Sequence, residues 1–341
     1  MDSYTVSVII PVYKPDEKFR KLVEGLKRQT YPIKEILIMN TEKEYWKDTW
    51  VLGMENVRVE HLKKEDFDHG GTRARAAAMT TGNILVFFTQ DAVPYDEHVV
   101  EELVKPFQDP QVGAAYGRQL ADRDCRIIEK YTRSFNYPAK SRIKSREDLP
   151  ELGIKTFFCS NVCAAYRRSA YEKLGGFITH TIFNEDMIFA GRLILDGGSV
   201  AYRADARVVH SHNYGCMQQF RRNFDLAVSQ ADHPEVFAGI RSESEGIRLV
   251  KQTAGYLCKI HKPWLIGELV VKSGFKFLGY RMGKSYRRLP KSVIKFCTMN
   301  ASYWTSTQYS AKIGHVSWIE GQICRIIRQR IHVLHPVTWR K

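Results

Sequence analysis

The sequence predicts an α/β fold built on a doubly wound sheet, followed by a helical, basic extension. Short apolar runs rich in β-branched residues alternate with amphipathic segments over the first 120 residues. Each connection is about as long as a crossover between parallel strands requires. The run VSVIIPV at 6–12 is almost entirely apolar, as expected of a strand buried on both faces. Ligands of such a sheet bind at the carboxyl ends of its strands.

The elements of this first part follow from local composition. Strands are predicted where apolar residues run together, at Val6–Val12, Glu35–Met39, Val57–Leu62, Ile84–Phe88 and Gly113–Arg118. Helices are predicted where apolar residues recur at helical spacing, at Glu17–Gln29, Gly71–Thr81 and Val99–Phe107. Gly82 is expected to end the second of these helices, because glycine readily adopts the left-handed conformation that closes a helix.

The middle of the chain is less regular. Arg123–Glu151 is polar and predicts a helix and then a mobile loop, within which Ala139–Arg146 is basic. Further strands are predicted at Phe157–Tyr166, Ser199–Tyr202 and Arg207–His210, and further helices at Ser169–Leu174 and Met187–Asp196, with Gly197-Gly198 as the cap of the latter. From Phe220 onwards the pattern is mostly helical.

Composition and charge limit the class of protein. The 341 residues suffice for one large α/β domain with an appended region, and 44% hydrophobic content fits a globular core. Residues 240–341 hold 19 of the 52 Lys and Arg residues but four of the 37 acidic residues, which leaves residues 1–239 neutral. We therefore expect a catalytic domain at 1–239 and a basic helical region at 240–341.

Cysteines and apolar runs bear on the cellular compartment. The seven cysteines include no C-x-x-C pair and are odd in number, which favours reduced thiols in a cytoplasmic protein. Asp2 follows Met1 and a strand pattern begins at once, so no signal peptide is predicted. The sequence contains no run of 18 apolar residues, so no membrane-spanning helix is predicted.

Candidate metal ligands follow two predicted strands. Asp91 ends the phrase Thr89-Gln90-Asp91 just past the strand Ile84–Phe88, where it can hold a ligand or merely cap the next turn. His210 and His212 leave the last predicted strand. One of them can bind a metal together with Asp91, and the alternative is a structural histidine.

Two further motifs begin predicted helices. Asn184-Glu185-Asp186 can cap a helix with acids, or supply a carboxylate that removes a proton from an attacking hydroxyl. Asp68-His69-Gly70-Gly71-Thr72-Arg73 offers backbone N–H groups suited to phosphate, with Arg73 as a fixed cation. Two glycines before a helix are common, so this second motif is weak by itself.

Taken in order, these stretches resemble family 2 glycosyltransferases of the GT-A fold, and most closely the bacterial rhamnosyltransferase-type members that build surface polysaccharides. The matching stretches are VSVIIPVYKP at 6–15, EILIMN at 35–40, FDHGGTRARAAAMTTGNILVFFTQDAVP at 67–94, CSNVCAAYRRSAYEKLGGF at 159–177, NEDMIFAGRL at 184–193 and VVHSHNY at 208–214. The likeness covers residues 3–235 and is specific as an ordered set. It implies a GT-A, Rossmann-like mixed sheet.

The resemblance also implies a role for individual residues. The residues expected to bind the nucleotide-sugar donor are Pro11, Val12, Tyr13, Asn40, His69, Thr72, Arg73 and Gln90. Asn40 lies near a position where many relatives carry an aspartate, and Thr89 replaces the first aspartate of the family's D-x-D metal motif. Asp91 would be the main carboxylate on Mg²⁺ or Mn²⁺, with His210 as a further ligand and His212 as the competing choice.

The implied reaction is a single displacement that inverts the sugar. Asp186, with Glu185 beside it, would deprotonate the acceptor hydroxyl while the metal and Arg73 neutralise the diphosphate leaving group. Phe135, Asn136 and Tyr137 are either a stacking surface for the acceptor or buried packing. The resemblance favours L-rhamnose from dTDP-L-rhamnose, and the alternative is another nucleotide sugar such as a UDP-hexose.

The basic region suggests a membrane partner. Pro263–Gly283 mixes aromatic, apolar and basic residues, and such a helix can lie in an anionic membrane interface. The alternatives are a solvated basic surface and self-association. Because the resemblance implies a saccharide acceptor that is lipid-linked, we expect peripheral attachment to the inner face of the plasma membrane.

Two other classes of protein fit less well. A net charge of +15 suggests a nucleic-acid-binding protein, but the neutral residues 1–239 carry the sheet motifs, so we expect no nucleic acid partner. A nucleotidyltransferase would have a glycine-rich loop after its first strand, and VIIPVYKP contains no glycine.

Overall fold

The computed structural model describes residues 4–47, 49–240 and 243–305. Within them, nine strands form one mixed sheet. In chain order the strands are β1 (Val6–Tyr13), β2 (Ile33–Thr41), β3 (Val57–Leu62), β4 (Ile84–Phe88), β5 (Val93–Pro94), β6 (Val112–Leu120), β7 (Arg142–Lys144), β8 (Cys163–Arg167) and β9 (Ser199–Val209).

Helices connect these strands and then continue alone to the end of the described chain. In chain order they are α1 (Glu17–Lys27), α2 (His69–Ala78), α3 (Val99–Val104), α4 (Ile127–Asn136), α5 (Leu149–Leu152), α6 (Arg168–Lys173), α7 (Glu185–Leu195), α8 (Cys216–Asp232), α9 (Pro234–Phe237), α10 (Glu243–Lys259), α11 (Leu265–Lys284) and α12 (Lys291–Cys297). None of these described helices combines the length and apolar content needed to cross a bilayer.

The strand order is β3-β2-β1-β4-β8-β6-β9-β5, with β7 paired to β9. β1 runs parallel to β2 and β4, and β2 runs parallel to β3. β8 is antiparallel to both β4 and β6, and β6 is parallel to β9. The carboxyl ends of β1, β2, β4, β6 and β9 therefore lie at one edge of the sheet, and β8 begins there.

The sheet is covered on both faces, as a doubly wound fold requires. Ile9 of β1 packs in an apolar cluster with Ala76 of α2 and Ile188 of α7. Its neighbour Ile10 points the other way and packs in a second cluster with Phe19 of α1. The predicted α/β sheet is thus confirmed, and the antiparallel β8 makes it mixed.

The middle of the chain differs from the prediction in three places. The strands predicted at Ser199–Tyr202 and Arg207–His210 are one strand, because β9 continues past a register shift opposite Gly117. The predicted mobile loop at 139–146 contains β7, which is ordered by pairing with β9. The strand predicted at 157–166 begins only at Cys163, because Gly153–Phe157 forms a 3₁₀ helix.

The first helices of the basic region pack on the sheet-bearing part of the chain. Gly279 and Gly283 of α11 lie so close to α8 that a Cβ atom at either would be 2.2 or 2.3 Å from a backbone carbonyl oxygen. Tyr256 of α10 stacks on Tyr131 of α4 with ring centroids 4.5 Å apart. The boundary at residue 239 stays a prediction.

The chain after Met299 forms a second unit. Its described part contains one 3₁₀ turn, Tyr303–Thr305. Trp318, Cys324 and Trp339, which belong to the predicted basic region, lie outside the described residues. The six cysteines that the structure describes are free.

Candidate active site

The predicted metal ligands form one cluster at the carboxyl edge of the sheet. Asp91 follows β4, and His210 and His212 follow β9. Oδ2 of Asp91 lies 3.4 Å from Nε2 of His210 and 3.5 Å from Nε2 of His212. One ligand atom from each residue lies within 4.8 Å of the other two. The cluster thus contains both histidines, which the sequence offered as alternatives.

Charge and burial leave these three groups suited to a cation. Burial opposes ionisation of Asp91, but the hydrogen bond and charge of His210 outweigh it and hold the pKa of Asp91 well below its usual range. Burial lowers the pKa of His212 to about 4, and His210 beside it adds to the shift. At neutral pH, His212 is therefore a neutral imidazole with a lone pair to donate.

A buried glutamine on β6 sets the orientation of His210. Oε1 of Gln119 lies 3.0 Å from Nδ1 of His210, and the Gln119 amide donates to Oγ of Ser160 over 3.0 Å. Arg133 also donates to Oε1 of Gln119, so this oxygen acts as an acceptor. Nδ1 of His210 is thereby directed at Gln119, and Nε2 faces Asp91.

The same region extends to Asp186. Asn161 follows Ser160, and its backbone N–H donates to Oδ2 of Asp186 over 2.9 Å. The backbone N–H of Met187 donates to Oδ1 over 2.8 Å. Hydrogen bonds at Gln119 and Asn161, joined by the backbone between Ser160 and Asn161, thus link the predicted metal cluster with the predicted general base.

Asp186 and Glu185 are neighbours with opposite protonation behaviour. Burial raises the pKa of Asp186 to about 7, and the charge of Glu185 adds to this shift. Burial also disfavours the charged form of Glu185, but Arg73, His69 and Asn161 outweigh it and keep its pKa below the usual range. Two adjacent carboxyl groups whose pKa values are pushed apart are typical of acid–base sites.

The polar groups at the start of α2 are bound by other residues of the chain. Oδ1 of Asp68 accepts a hydrogen bond from the backbone N–H of Gly71, so the chain's own carboxylate occupies the terminus that the sequence offered to a phosphate. Thr72 Oγ1 accepts from the Asp68 backbone, and Arg73 forms a buried ion pair with Glu185 over 3.2 Å. A donor role for His69, Thr72 and Arg73 stays a prediction, and their contacts here are structural.

A further group of predicted donor residues lies at the ends of β1 and β2. Val12 is buried in the core, whereas Pro11 before it is partly exposed. Oε1 of Gln90 accepts from the backbone N–H of Tyr13 over 2.7 Å. The Tyr13 ring is 36% exposed and meets Tyr45 edge-on at 5.7 Å.

Asn40 is fully buried at the end of β2. Its amide donates to the carbonyl oxygen of Glu42 over 3.1 Å and lies 3.0 Å from Nδ1 of His61. Its Oδ1 has no hydrogen-bond partner among the described atoms. One acceptor therefore remains to be satisfied at the position predicted to contact the nucleotide.

Sequence reasoning missed several residues of this edge. Gln119 and Asn161 position His210 and Asp186, and the signal for Gln119 was a polar residue near the end of a buried strand. Arg133 and Arg222 act electrostatically on both His212 and Tyr137. Both arginines lie on helices, where basic residues are usually solvated, so no local pattern distinguishes them from surface residues.

The predicted stretch Phe135, Asn136 and Tyr137 divides between two environments. Tyr137 is buried in an aromatic cluster with Phe158 and Tyr202, as the packing interpretation expected. Burial raises the pKa of its hydroxyl to about 12. Phe135 and Asn136 line a separate cavity.

Comparison with known proteins shows the family of this chain. The model of glycosyl transferase family 2 matches residues 7–175. The chain is 40% identical over 313 residues to the O-antigen chain rhamnosyltransferase RfbN of Salmonella typhimurium (strain LT2), covering 90% of this chain and 98% of that protein. It is 38% identical over 317 residues to the O-antigen chain rhamnosyltransferase WbaN of Salmonella anatum, covering 91% and 98%. The chain belongs to glycosyl transferase family 2 and is a glycosyltransferase.

A solved structure supports the fold. The mannosyltransferase PcManGT from Pyrobaculum calidifontis, in complex with GDP-Man and Mn²⁺, superposes with a TM-score of 0.53 at 16% sequence identity. The match covers 89% of this chain and 86% of that one. The GT-A architecture expected from the resemblance is confirmed.

Proposed function

We propose that this protein transfers L-rhamnose from dTDP-L-rhamnose to a saccharide acceptor of an O-antigen-type surface polysaccharide, with inversion at the anomeric carbon. Relatives named as O-antigen chain rhamnosyltransferases, 40% and 38% identical and matched over 98% of their length, support the sugar and the product. The observation that carries the proposal is the cluster of Asp91, His210 and His212, which Gln119 and the adjoining residues Ser160 and Asn161 link to Asp186.

Asp186 is the proposed general base. Its pKa of about 7 leaves a large fraction ionised at neutral pH, while the carboxylate remains basic enough to accept a proton from a hydroxyl. Hydrogen bonds from Asn161 and Met187 fix both of its oxygens. Glu185, which is bound to Arg73, supports Asp186 electrostatically and takes no proton itself.

Asp91, His210 and His212 are the residues that would hold a divalent cation. When bound, the cation would neutralise the diphosphate leaving group. Two imidazole nitrogens and one carboxylate suit Mn²⁺ better than Mg²⁺, which prefers oxygen ligands and retains its water. Gln119 holds His210 in the tautomer that such binding needs.

Arg133 and Arg222 are the proposed cations for the diphosphate, in place of Arg73. Arg222 packs on the rings of Phe183 and Tyr214 at 4.6 and 6.0 Å and forms no ion pair with a described residue. Its guanidinium is therefore free to bind oxygen atoms of the leaving group. The predicted Arg73 charge is already compensated by Glu185.

The nucleotide is expected at the ends of β1 and β2. The exposed ring of Tyr13 offers a stacking surface, and Gln90 holds the Tyr13 backbone in place. Asn40 supplies an unsatisfied acceptor oxygen in the same region. A UDP-hexose remains the alternative donor, because uracil and thymine offer the same hydrogen-bonding groups to these residues.

The outer face of α11 supports attachment to a membrane that carries the acceptor. Five apolar side chains on or beside this helix are more than half exposed, namely Trp264 (70%), Val270 (59%), Val271 (52%), Phe277 (55%) and Leu278 (55%). The inner face holds Leu269, Gly279 and Gly283 together with Lys272, which is buried and pairs with Glu129 and Glu268. An exposed apolar face opposite a packed one is typical of a helix that lies in an interface.

The charge around this face favours an anionic bilayer as its occupant. Between residues 259 and 299 the only acidic residue is Glu268, which is engaged by Lys272. Exposed cations follow the apolar face, at Arg281, Lys284, Arg287, Arg288, Lys291 and Lys295. We propose peripheral attachment to the anionic inner face of the plasma membrane, next to a lipid-linked acceptor.

The donor is tested by measuring nucleoside diphosphate release with a panel of nucleotide sugars, with and without Mn²⁺. We expect acceptor-dependent release from dTDP-L-rhamnose that exceeds release from UDP-glucose and UDP-galactose at least tenfold. A preference for a UDP-hexose would contradict the proposed donor while leaving the enzyme class unchanged.

A further inference from the structure

A cavity of about 770 Å³ lies between α4, β7 and α10, apart from the metal cluster. Of the described residues that line it, five are aromatic, five are Lys or Arg, and none is acidic. Aromatic faces suit sugar rings, whereas neutral sugars are usually bound with the help of carboxylates. The lining therefore favours a ligand with both a ring and a negative charge.

The aromatic walls are held rigidly by the cations. Nζ of Lys155 lies 4.2 Å from the centre of the Phe135 ring, and the Arg248 guanidinium lies 5.3 Å from it. Nζ of Lys144 lies 4.8 Å from the centre of the Tyr116 ring. Tyr116 also packs on Phe158 at 5.6 Å. These contacts preform the cavity, so a ligand need not order it.

Two of the five cations lack a carboxylate partner among the described residues. Arg142 is bound by Asp148 and Glu151, and Lys155 and Arg248 share Glu245; Lys140 and Lys144 pair with no described acid. Lys144 is 4% exposed and donates only to the carbonyl oxygens of Lys155 and Phe158.

An anion in the cavity would compensate this charge. Burial lowers the pKa of Lys144 to about 7, which reflects the cost of an ammonium group placed away from water without a counter-ion. Lys140 is exposed at the same cavity and can approach the same anion.

We propose that this cavity is a second ligand site that binds a sugar-linked diphosphate, with the sugar ring against the aromatic wall and the phosphates against Lys140 and Lys144. Two molecules in the proposed reaction carry this chemistry. One is the acceptor, at the junction between its lipid diphosphate and its first sugar, and the other is a nucleotide sugar. The identity of the acceptor rests on the proposed function, whereas the binding chemistry does not.

The cavity lies close enough to the catalytic edge to hold one end of an acceptor. Phe158 lines the cavity, and Asn161, three residues later, binds Asp186. Three residues span at most about 11 Å. A saccharide chain anchored at the cavity would need only a few sugar units to bring its free end to the general base.

The test is calorimetric titration of the full chain with two probes, a farnesyl-diphosphate-linked monosaccharide and dTDP. The variant Lys140→Glu reverses an exposed charge at the cavity, and Lys34→Glu does the same at an exposed position near the start of β2 as the matched control. Lys144→Met removes the buried cation, with circular dichroism to check its fold. We expect Lys140→Glu and Lys144→Met to weaken binding of one probe at least about tenfold, and Lys34→Glu to leave it unchanged.

The two probes distinguish the sources of the ligand. If the variants bind only the farnesyl probe more weakly, the cavity is assigned to the acceptor. If the wild type binds two molecules of dTDP per chain and the variants bind one, the cavity is assigned to a nucleotide. Wild-type affinity and stoichiometry for both probes in Lys140→Glu would overturn the proposal. Since binding is measured without turnover, a failure of rhamnosyl transfer would not affect this result.

Discussion

Oδ2 of Asp186 accepts a hydrogen bond of 2.9 Å from the backbone N–H of Asn161. The neighbouring carboxylate, Glu185, is in an ion pair. Glu185 has its counter-ion in Arg73, whereas Asp186 has hydrogen bonds but no cation within ion-pair distance among the described residues. Burial, with the charge of Glu185, outweighs these hydrogen bonds and raises the pKa of Asp186 to about 7. This asymmetry assigns the general base to Asp186.

The first prediction concerns pH. A base with a pKa of about 7 is protonated and inactive below that value, so log kcat/KM should rise with unit slope up to pH 7 and then level off. Initial rates measured from pH 5 to 9 at saturating Mn²⁺ check this. Asp196→Asn, at an exposed carboxylate that binds Lys173, is the control and should leave the profile unchanged. A profile that is flat across pH 6–8 would exclude Asp186 as the group that titrates.

The second prediction concerns the buried pair of Arg73 and Glu185, whose side chains are 6% and 8% exposed. Removing one partner leaves an uncompensated buried charge, so Arg73→Met should lower the free energy of unfolding by about 3–5 kcal/mol. Chemical denaturation measures this loss. Arg73→Met/Glu185→Gln should recover part of it, because neither charge is then left alone. Normal stability of Arg73→Met, with a raised KM for the donor, would instead support the donor-binding role predicted from the sequence.

The third prediction concerns the metal. His210→Ala and His212→Ala should each weaken Mn²⁺ binding at least about tenfold, because both imidazoles belong to the cluster. Calorimetry with Mn²⁺ and dTDP measures the affinity, and His98→Ala, at an exposed histidine just before α3, serves as the control. Mn²⁺ should support turnover at a lower concentration than Mg²⁺. Unchanged Mn²⁺ affinity in His212→Ala would remove that histidine from the site.

The fourth prediction concerns α11. Val270→Glu/Phe277→Glu places charge on its exposed apolar face and should abolish co-sedimentation with vesicles containing phosphatidylglycerol. Leu195→Glu, at an exposed apolar residue ending α7, is the matched control and should bind like the wild type. Vesicles of phosphatidylcholine alone should bind weakly, because the flanking cations contribute. Wild-type binding by the double variant, or a dimer in solution that the variant dissociates, would contradict the membrane assignment.

Much of the fold could be predicted because the signals are local. The apolar run that forms β1 and the helical stripe of α1 each depend on neighbours in sequence. The convergence of Asp91 with His210 could also be predicted, since both follow strands that run in the same direction, and such strands end at one edge of a sheet.

Other features depend on packing between distant segments. The ion pair of Arg73 with Glu185 could not be predicted, because the two residues are 112 positions apart in the sequence. The pair forms only when α2 packs closely against the segment that precedes α7. Gly70 permits that approach, because a Cβ atom there would lie 1.8 Å from the carbonyl oxygen of Ile178. Likewise, the exposed apolar face of α11 could not be predicted, because it depends on Gly279 and Gly283 packing against α8 on the other side of the helix.

The central claim is that Asp186 acts on the acceptor while a separate cluster around Asp91 holds the donor. Asp186→Asn replaces the carboxylate by an uncharged amide of the same size, which cannot act as a base. Calorimetry with dTDP-L-rhamnose and Mn²⁺ should therefore give a dissociation constant within about threefold of the wild type. In the same preparation, product formation should fall by a factor on the order of 10² to 10⁴. Retained turnover, or lost donor binding together with lost turnover, would contradict the assignment of Asp186 as the general base.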